Sequence, residues 1–252
     1  MRDFNLETER RVAFIRDLVA RAGVRGIVFA NSGGKDAALV GILCKMACAD
    51  TVGVILPCGV ARNYDSDRAD ALLLGEMFDI VHHEIDLRGV RDTLLQGIGQ
   101  AIGDEWGASN HANISIAPRL RMTAVYAIAN AQNRLVAGTG NRSERHMGYF
   151  TKWGDGAFDF NPIADLTATE VFAFLRHLGA PSAIVDKAPS AGLFEGQTDE
   201  TEMGVTYAAL DAYLQSGEAT AHDRAIIDRH HAAAAHKCTP PAIYGEAHGA
   251  AK

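Results

Sequence analysis

Short runs of apolar, β-branched residues alternate along the chain with longer segments of helical periodicity. Strands are predicted at 26–31 (GIVFAN), 51–57 (TVGVILP), 80–86 (IVHHEID) and 134–139 (RLVAGT), and helices at 36–49, 65–78 and 117–132. This alternation is typical of right-handed βαβ units. We therefore predict an α/β fold, a single Rossmann-like doubly wound domain over residues 1–252, with a mostly parallel sheet flanked by helices.

The two ends of the chain are predicted to be helical. Val12, Ile15, Leu18 and Val19 recur at helical spacing in the first 20 residues. After residue 140 the pattern becomes aperiodic and rich in Gly, Asn, Asp and aromatic residues, which is typical of a functional loop in a compact domain. A helix over 167–178 follows, with Thr167 and Glu170 forming a capping box, and the tail is predicted to be helical to about His236.

Composition narrows the class of protein. Of the 252 residues, 48% are hydrophobic and 22% charged, as in ordinary soluble enzymes. The 24 basic and 31 acidic side chains give a net charge of −7, which argues against a broad nucleic-acid surface. Charges throughout the first 20 residues exclude a signal peptide or membrane span there. The four cysteines form no disulfide framework, so the cytoplasm is the expected compartment. The net charge and the charged N-terminal segment together predict no nucleic-acid partner and no membrane partner.

The segment FANSGGKDAALVGIL (29–43) carries candidate chemistry between the first strand and the following helix. Gly33 and Gly34 permit close approach of backbone N–H groups to an anion, and the helix adds its partially positive N-terminus. Ser32 and Lys35 can donate to phosphate oxygens, and Asp36 can bind Mg²⁺. The segment matches neither G-x-x-x-x-G-K-[ST] nor G-x-G-x-x-G. The alternative interpretation is a tight turn in which Asp36 caps the helix.

Longer motifs favour one family. The S-G-G-x-D loop resembles that of ATP pyrophosphatases of the adenine-nucleotide α-hydrolase-like fold. Four further segments, in family order, resemble ammonia-dependent NAD⁺ synthetases: APRLRMTAVYAIAN (117–130), GTGNRSERHMGYFTKWGDGAFDFNPIADLTATEV (138–171), KAPSAGLFEGQTDETEMGVTYAALDAYL (187–214) and HKCTPP (236–241). The resemblance implies amidation of deamido-NAD⁺ to NAD⁺ with ammonia, through an adenylated intermediate, releasing AMP and pyrophosphate. It also implies a homodimer.

The resemblance assigns roles to particular residues. It implies ATP contacts from Ser32, Gly33, Gly34, Lys35, Asp36, Ala37, Thr139 and Ser190. It implies deamido-NAD⁺ contacts from Arg119, Lys152, Asp159, His236 and Lys237, with Arg121 a weaker candidate. Asp36 and Glu144 are implied as Mg²⁺ ligands, and two carboxylates suit an ion that keeps several waters. Without the resemblance, Glu144 would be interpreted as a surface charge paired with a neighbouring arginine. No acid or base catalyst is assigned.

Departures from the family pattern leave alternatives open. Ala37 replaces a serine of the loop, Ala168 replaces a lysine that contacts ATP in many members, and Ser115 and Cys238 replace an asparagine and an arginine. We expect weaker ATP binding with activity retained. The alternatives are a non-catalytic nucleotide-binding relative and a tRNA-modifying ATP pyrophosphatase, although the acidic balance opposes the latter. No segment remains for an amidase domain, so free ammonia is the expected nitrogen donor.

Overall fold

The central element of the computed structural model is a parallel β-sheet. The structure describes residues 2–103, 106, 110–187, 190 and 198–244. Within these residues the strands are β1 (Gly26–Ala30), β2 (Thr51–Ile55), β3 (Val81–Glu84) and β4 (Arg134–Ala137). Their order is β3-β2-β1-β4, with Ile27 opposite Thr51 and Gly26 opposite Arg134. All the pairings are parallel, as the alternating pattern predicted.

Helices connect the strands and cover the sheet. In chain order they are α1 (Phe4–Ala22), α2 (Lys35–Ala47), α3 (Ala61–Tyr64), α4 (Ser66–Phe78), α5 (Arg88–Ile102), α6 (Asn110–Ile114), α7 (Ile116–Gln132), α8 (Arg142–Met147), α9 (Ala168–His177), α10 (Ser182–Val185), α11 (Asp199–Met203), α12 (Tyr207–Ser216) and α13 (Ala221–Cys238). None in the described part of the chain is both long and apolar enough to cross a membrane.

The core lies on both faces of the sheet. On one face α2 packs against α1, α9 and the strands, burying Phe29, Leu39 and Phe174. On the other face α7 packs against β1 and β4, with Val28 and Val125 in the contact. The nearly continuous apolar sequence of β1 follows from this burial on both sides. The predicted doubly wound α/β fold is confirmed.

Several helices were not predicted, and α5 and α8 are two of them. Helix α5 contains three glycines, which weaken helical propensity, and none of its residues is buried. Helix α8 lies within the segment predicted to be a loop, and a capping box starts it: the Asn141 side chain accepts from the Glu144 N–H, and the Glu144 carboxylate accepts from the Asn141 N–H. Six residues are too few to show a periodic pattern. The alternative of Asp36 as a helix cap is wrong, because Gly34 is the N-cap of α2.

The sheet topology determines where a ligand binds. The chain runs from β1 outward through β2 to β3 and then crosses to β4 on the opposite side of β1. The segments after β1 and β4 therefore diverge at their carboxyl ends, which is the switch point where open α/β sheets bind ligands.

Candidate active site

A cavity of about 760 Å³ lies at the switch point. It is lined by residues that follow β1, β2 and β4, by residues of α7 and α8, and by parts of α11 and α13. This volume is within the range of small-molecule and cofactor sites.

The glycine-containing loop is built to end β1 and start α2 without a side-chain cap. Gly33 has a φ of +72°, and a Cβ there would lie 2.1 Å from the Asp67 carbonyl oxygen, so only glycine fits. Gly34 has a φ of −90°, and the nearest atom to a Cβ there is Ser32 Oγ at 3.3 Å. No side chain caps α2, which leaves its positive N-terminus facing the cavity that Gly34 lines.

An acidic cluster with one buried lysine lies beside this helix start. Lys35 is 7% exposed, and its Nζ lies 2.6 Å from Asp36 Oδ2 and 3.9 Å from Glu144 Oε1. The ammonium also lies over the rings of Phe172 and Tyr207, at 5.6 and 5.3 Å from their centroids. Lys35 is therefore paired with the two carboxylates that the resemblance assigned to Mg²⁺.

Asn141 holds the same two carboxylates from the other side. Its side chain is fully buried, and its Nδ2 donates to Asp36 Oδ1 at 3.0 Å. Its backbone N–H donates to Glu144 Oε2 at 3.0 Å, while its Oδ1 accepts from the Glu144 N–H. The sequence analysis missed Asn141. The Asn-x-x-Glu spacing is the signal that would have found it, since the equivalent Thr167 and Glu170 were recognised.

Burial and mutual repulsion shape the electrostatics of the cluster. Burial raises the pKa of Glu144 well above its ordinary value, the Asp36 charge raises it further, and Lys35 opposes both. Burial alone would lower the pKa of Lys35, but the charges of Asp36 and Glu144 outweigh it and raise this pKa. The site therefore stabilises a positive charge between Asp36 and Glu144.

Asp199 adds a third carboxylate that the sequence analysis did not single out. It is buried at the start of α11 and lines the cavity, and its Oδ2 accepts from the Tyr207 hydroxyl at 2.9 Å. Its Oδ1 is buried without a hydrogen-bond partner. The Tyr149 hydroxyl, which donates to Glu202, is also a side-chain hydrogen-bonding partner of the Asp199 carboxylate. Burial raises the pKa of Asp199, and the nearby Lys35 opposes the rise.

The structure brings most of the predicted ATP residues to the cavity. Those that line it are Ser32, Gly34, Lys35, Asp36, Ala37, Thr139 and Ser190. The predicted Mg²⁺ ligand Glu144 lines it as well. Gly33 does not line the cavity, and its backbone lies against the backbone of Asp67. Ala168 is fully buried at the first position of α9, one turn before Phe172, whose ring the Lys35 ammonium covers.

Several predicted dinucleotide residues lie outside the cavity. Arg119 donates to the Lys152 carbonyl at 3.3 Å, and Lys152 Nζ donates to the His236 carbonyl at 2.6 Å, so these three form a surface strip. Asp159 accepts from the Val136 N–H at 2.7 Å. Of the predicted group only Lys237 lines the cavity. The dinucleotide roles of the group remain predictions.

The weaker candidate, Arg121, points into the cavity. Its guanidinium donates to the Leu56 carbonyl and to Asn63 Oδ1, both at 3.0 Å. Arg119 and Arg121 face different directions, as residues two positions apart on a helix do. The contact of Arg121 with the end of β2 depends on how α7 packs on the sheet, and no local sequence signal reports that packing.

The residues present fit a magnesium ion. In the part of the chain that the structure describes, no three His, Cys, Asp or Glu side chains are close enough together to hold a metal. Mg²⁺ needs only one or two carboxylates, because waters and phosphate oxygens complete its shell. Asp36 and Glu144 satisfy this requirement, and they already face a cationic ammonium.

A doubly wound sheet with an uncapped helix start and an acidic cavity at its switch point defines a class of α/β proteins that bind anionic ligands. Comparisons with known proteins identify the family. The model of the family described as NAD synthase matches residues 7–239. An NH(3)-dependent NAD(+) synthetase from Carboxydothermus hydrogenoformans is 41% identical over 94% of this chain and 96% of its own. The chain therefore belongs to the NAD synthase family, which confirms the predicted resemblance.

Solved structures agree with the fold. The structure of NMN synthetase from Francisella tularensis is 33% identical, with a TM-score of 0.90 over 98% of this chain and 100% of that one. The crystal structure of NAD⁺ synthetase from Burkholderia pseudomallei is 30% identical, with a TM-score of 0.76 over 94% of this chain and 90% of that one.

Proposed function

We propose that the protein is a ligase that amidates deamido-NAD⁺ to NAD⁺ with ammonia and ATP. The nicotinate carboxylate attacks the α-phosphorus of ATP and pyrophosphate leaves. Ammonia then attacks the resulting acyl adenylate, AMP leaves, and a proton is lost to give the amide. The observation that carries the proposal is the pair Asp36 and Glu144 beside the uncapped start of α2, in a chain of the NAD synthase family.

The chain's own residues supply the environment that this chemistry needs. A carboxylate attacking a phosphate brings two anions together, so the site must provide oriented donors. The α2 N-terminus and the Ser32 hydroxyl face the cavity where the phosphates would bind. Thr139 follows β4 across the switch point and offers a second hydroxyl. These groups orient ATP, and the protein walls of the cavity limit access of water to the adenylate.

We propose Mg²⁺ as the cofactor, held by Asp36 and Glu144. When bound there it would neutralise charge on the phosphates of ATP. Asn141 supports the proposal because it contacts both carboxylates and fixes their relative positions.

We expect the purified protein to form NAD⁺, AMP and pyrophosphate in equal amounts from ATP, Mg²⁺, deamido-NAD⁺ and ammonium. Glutamine in place of ammonium should give little product. Chromatographic separation of the nucleotides, with a coupled pyrophosphate assay, measures all three. Formation of ADP would contradict the AMP-forming step, and no turnover at saturating ammonium would favour a non-catalytic relative.

Nicotinate mononucleotide is a second candidate substrate. The observation that favours it is the TM-score of 0.90 to a protein described as an NMN synthetase, against 0.76 to the Burkholderia NAD⁺ synthetase. The chemistry is identical, because only the group attached to the nicotinate ribotide differs. The same assay with both substrates at matched concentrations decides between them, since the ratio of their kcat/KM values reports the preference.

We also propose a homodimer, because α5 presents apolar side chains to solvent. Val90, Leu94 and Ile102 are 55%, 41% and 49% exposed and lie at multiples of four residues along the helix. We expect Leu94→Arg to shift the protein from dimer to monomer in analytical ultracentrifugation, because it places a charge in the contact. Met77→Arg on α4, where the side chain is 51% exposed, is the matched control and should leave the mass unchanged. A monomeric wild type would contradict the proposal.

The cytoplasm is the compartment that we propose. The support is the state of Cys44, Cys48, Cys58 and Cys238, which are all free thiols in the structure. Disulfide-free cysteines are the usual state of proteins in reducing compartments.

A further inference from the structure

The buried ammonium of Lys35 occupies the place between the two proposed metal ligands. Its closest carboxylate contacts are Asp36 Oδ2 at 2.6 Å and Glu144 Oε1 at 3.9 Å. Asn141 holds the other oxygen of each carboxylate, so the oxygens facing Lys35 are those left for a cation. A divalent ion bound by the same two groups would therefore compete with this ammonium.

Among the described residues, Asp199 offers a further acceptor for a displaced ammonium. Asp199 Oδ1 is buried without a hydrogen-bond partner, and a buried carboxylate oxygen left unpaired is costly. The Asp199 carboxylate is bound through Oδ2 to the hydroxyl of Tyr207, and the Lys35 ammonium lies 5.3 Å from the centroid of that same ring. The charge of Asp199 already acts on Lys35 in the present arrangement.

We propose that Lys35 is a resident cation of the site, which holds Asp36 and Glu144 in the absence of metal and moves to Asp199 when a divalent ion binds them. Asp199 is thus a positioning residue that acts through Lys35. The role explains why a buried carboxylate keeps one oxygen unpaired at the wall of the cavity. The charge of the Asp36 and Glu144 carboxylates is then balanced by a cation both with and without the divalent ion. This matters because a buried carboxylate pair without a cation is strongly destabilised. The inference rests on the proposed magnesium site.

Manganese binding to the protein without ATP or dinucleotide tests the proposal. Electron paramagnetic resonance measures the concentration of free Mn²⁺ during a titration, so the experiment needs no turnover. We expect Lys35→Met to bind Mn²⁺ about tenfold more tightly or better, because the ammonium that competes for the two carboxylates is removed. Asp199→Asn should weaken binding by about threefold to tenfold, because the displaced ammonium loses its acceptor. In the Lys35→Met background the effect of Asp199→Asn should fall below about twofold, as expected for coupled residues.

Controls separate these effects from general changes in charge. Lys45→Met removes a lysine from the last turn of the same helix, where it pairs with Asp79 at 3.0 Å, and should leave Mn²⁺ affinity unchanged. Lys35→Gln replaces Lys35→Met if the latter does not fold, and the same tightening is expected. Lys35→Arg keeps the charge and should not tighten binding.

Three results would overturn the proposal. Unchanged or weaker Mn²⁺ binding in Lys35→Met and Lys35→Gln would show that Lys35 does not compete with the metal. An equal effect of Asp199→Asn in both backgrounds would make Asp199 a direct partner of the ion. No measurable Mn²⁺ binding by any of these variants would exclude the cation site itself. The NAD⁺ synthesis assay is independent of these readouts, so a failure of the proposed function is recognised separately.

Discussion

Glu144→Gln should abolish most pyrophosphate release while leaving the fold intact. Glu144 has two roles in the structure: one oxygen completes the capping box of α8, and the other faces Lys35. Glutamine also serves at the third position of a capping box, so the substitution removes the negative charge and keeps the cap. We expect kcat to fall by on the order of 10²–10³-fold, as when an electrostatic stabiliser of a transition state is lost.

A matched control comes from the second capping box of the chain. Glu170→Gln makes the same change at the equivalent position of α9, beside Thr167 and away from the cavity lining, and should leave kcat unchanged. Asp36→Asn should resemble Glu144→Gln, because Asp36 is the other carboxylate that Asn141 holds. Circular dichroism establishes the fold, and pyrophosphate release over a range of Mg²⁺ concentrations gives the rate. Wild-type turnover of Glu144→Gln at low Mg²⁺ would make Glu144 purely structural.

Gly34→Ala should destroy ATP binding in a protein that still folds. The φ of −90° suits any residue, and the added methyl would meet only Ser32 Oγ at 3.3 Å. It would therefore project into the cavity at the start of α2, where we place the phosphates. Losing charge-assisted hydrogen bonds there corresponds to roughly 1.5–3 kcal/mol, or about 10- to 150-fold in Kd. Isothermal titration with a non-hydrolysable ATP analogue measures it.

The neighbouring glycine provides the contrast. Gly33→Ala should destabilise the fold by roughly 2–6 kcal/mol, because it combines backbone strain at a φ of +72° with overlap against the Asp67 carbonyl. Gly97→Ala on α5 is the control for both glycine variants, because a Cβ there meets nothing within 4 Å. It should lower neither the stability nor the ATP affinity of the protein. If Gly34→Ala binds the analogue as wild type does, the loop serves only as a turn.

The sequence by itself determined the succession of strands and helices, because the central strands β1 and β2 are buried on both faces and α7 packs one face on the sheet. The continuous apolar runs at β1 and β2 and the helical periodicity of α2 and α7 are local consequences of that burial. Motif order determined the family, which the comparisons confirm. The sequence did not reveal α5, whose glycines and unburied apolar face give conflicting local signals.

Only the tertiary structure decided which charges meet. Asp36, the pair Asn141 and Glu144, and Asp199 come from three separate segments of the chain, and their contacts depend on how these segments pack around the switch point. Lys35 was predicted as a phosphate donor from its position in the loop, but its ammonium is buried against Asp36. The direction of a long side chain at a helix start depends on the carboxylates and rings packed around it. Apart from Asp36, these groups come from distant segments, so no local pattern encodes the direction that Lys35 takes.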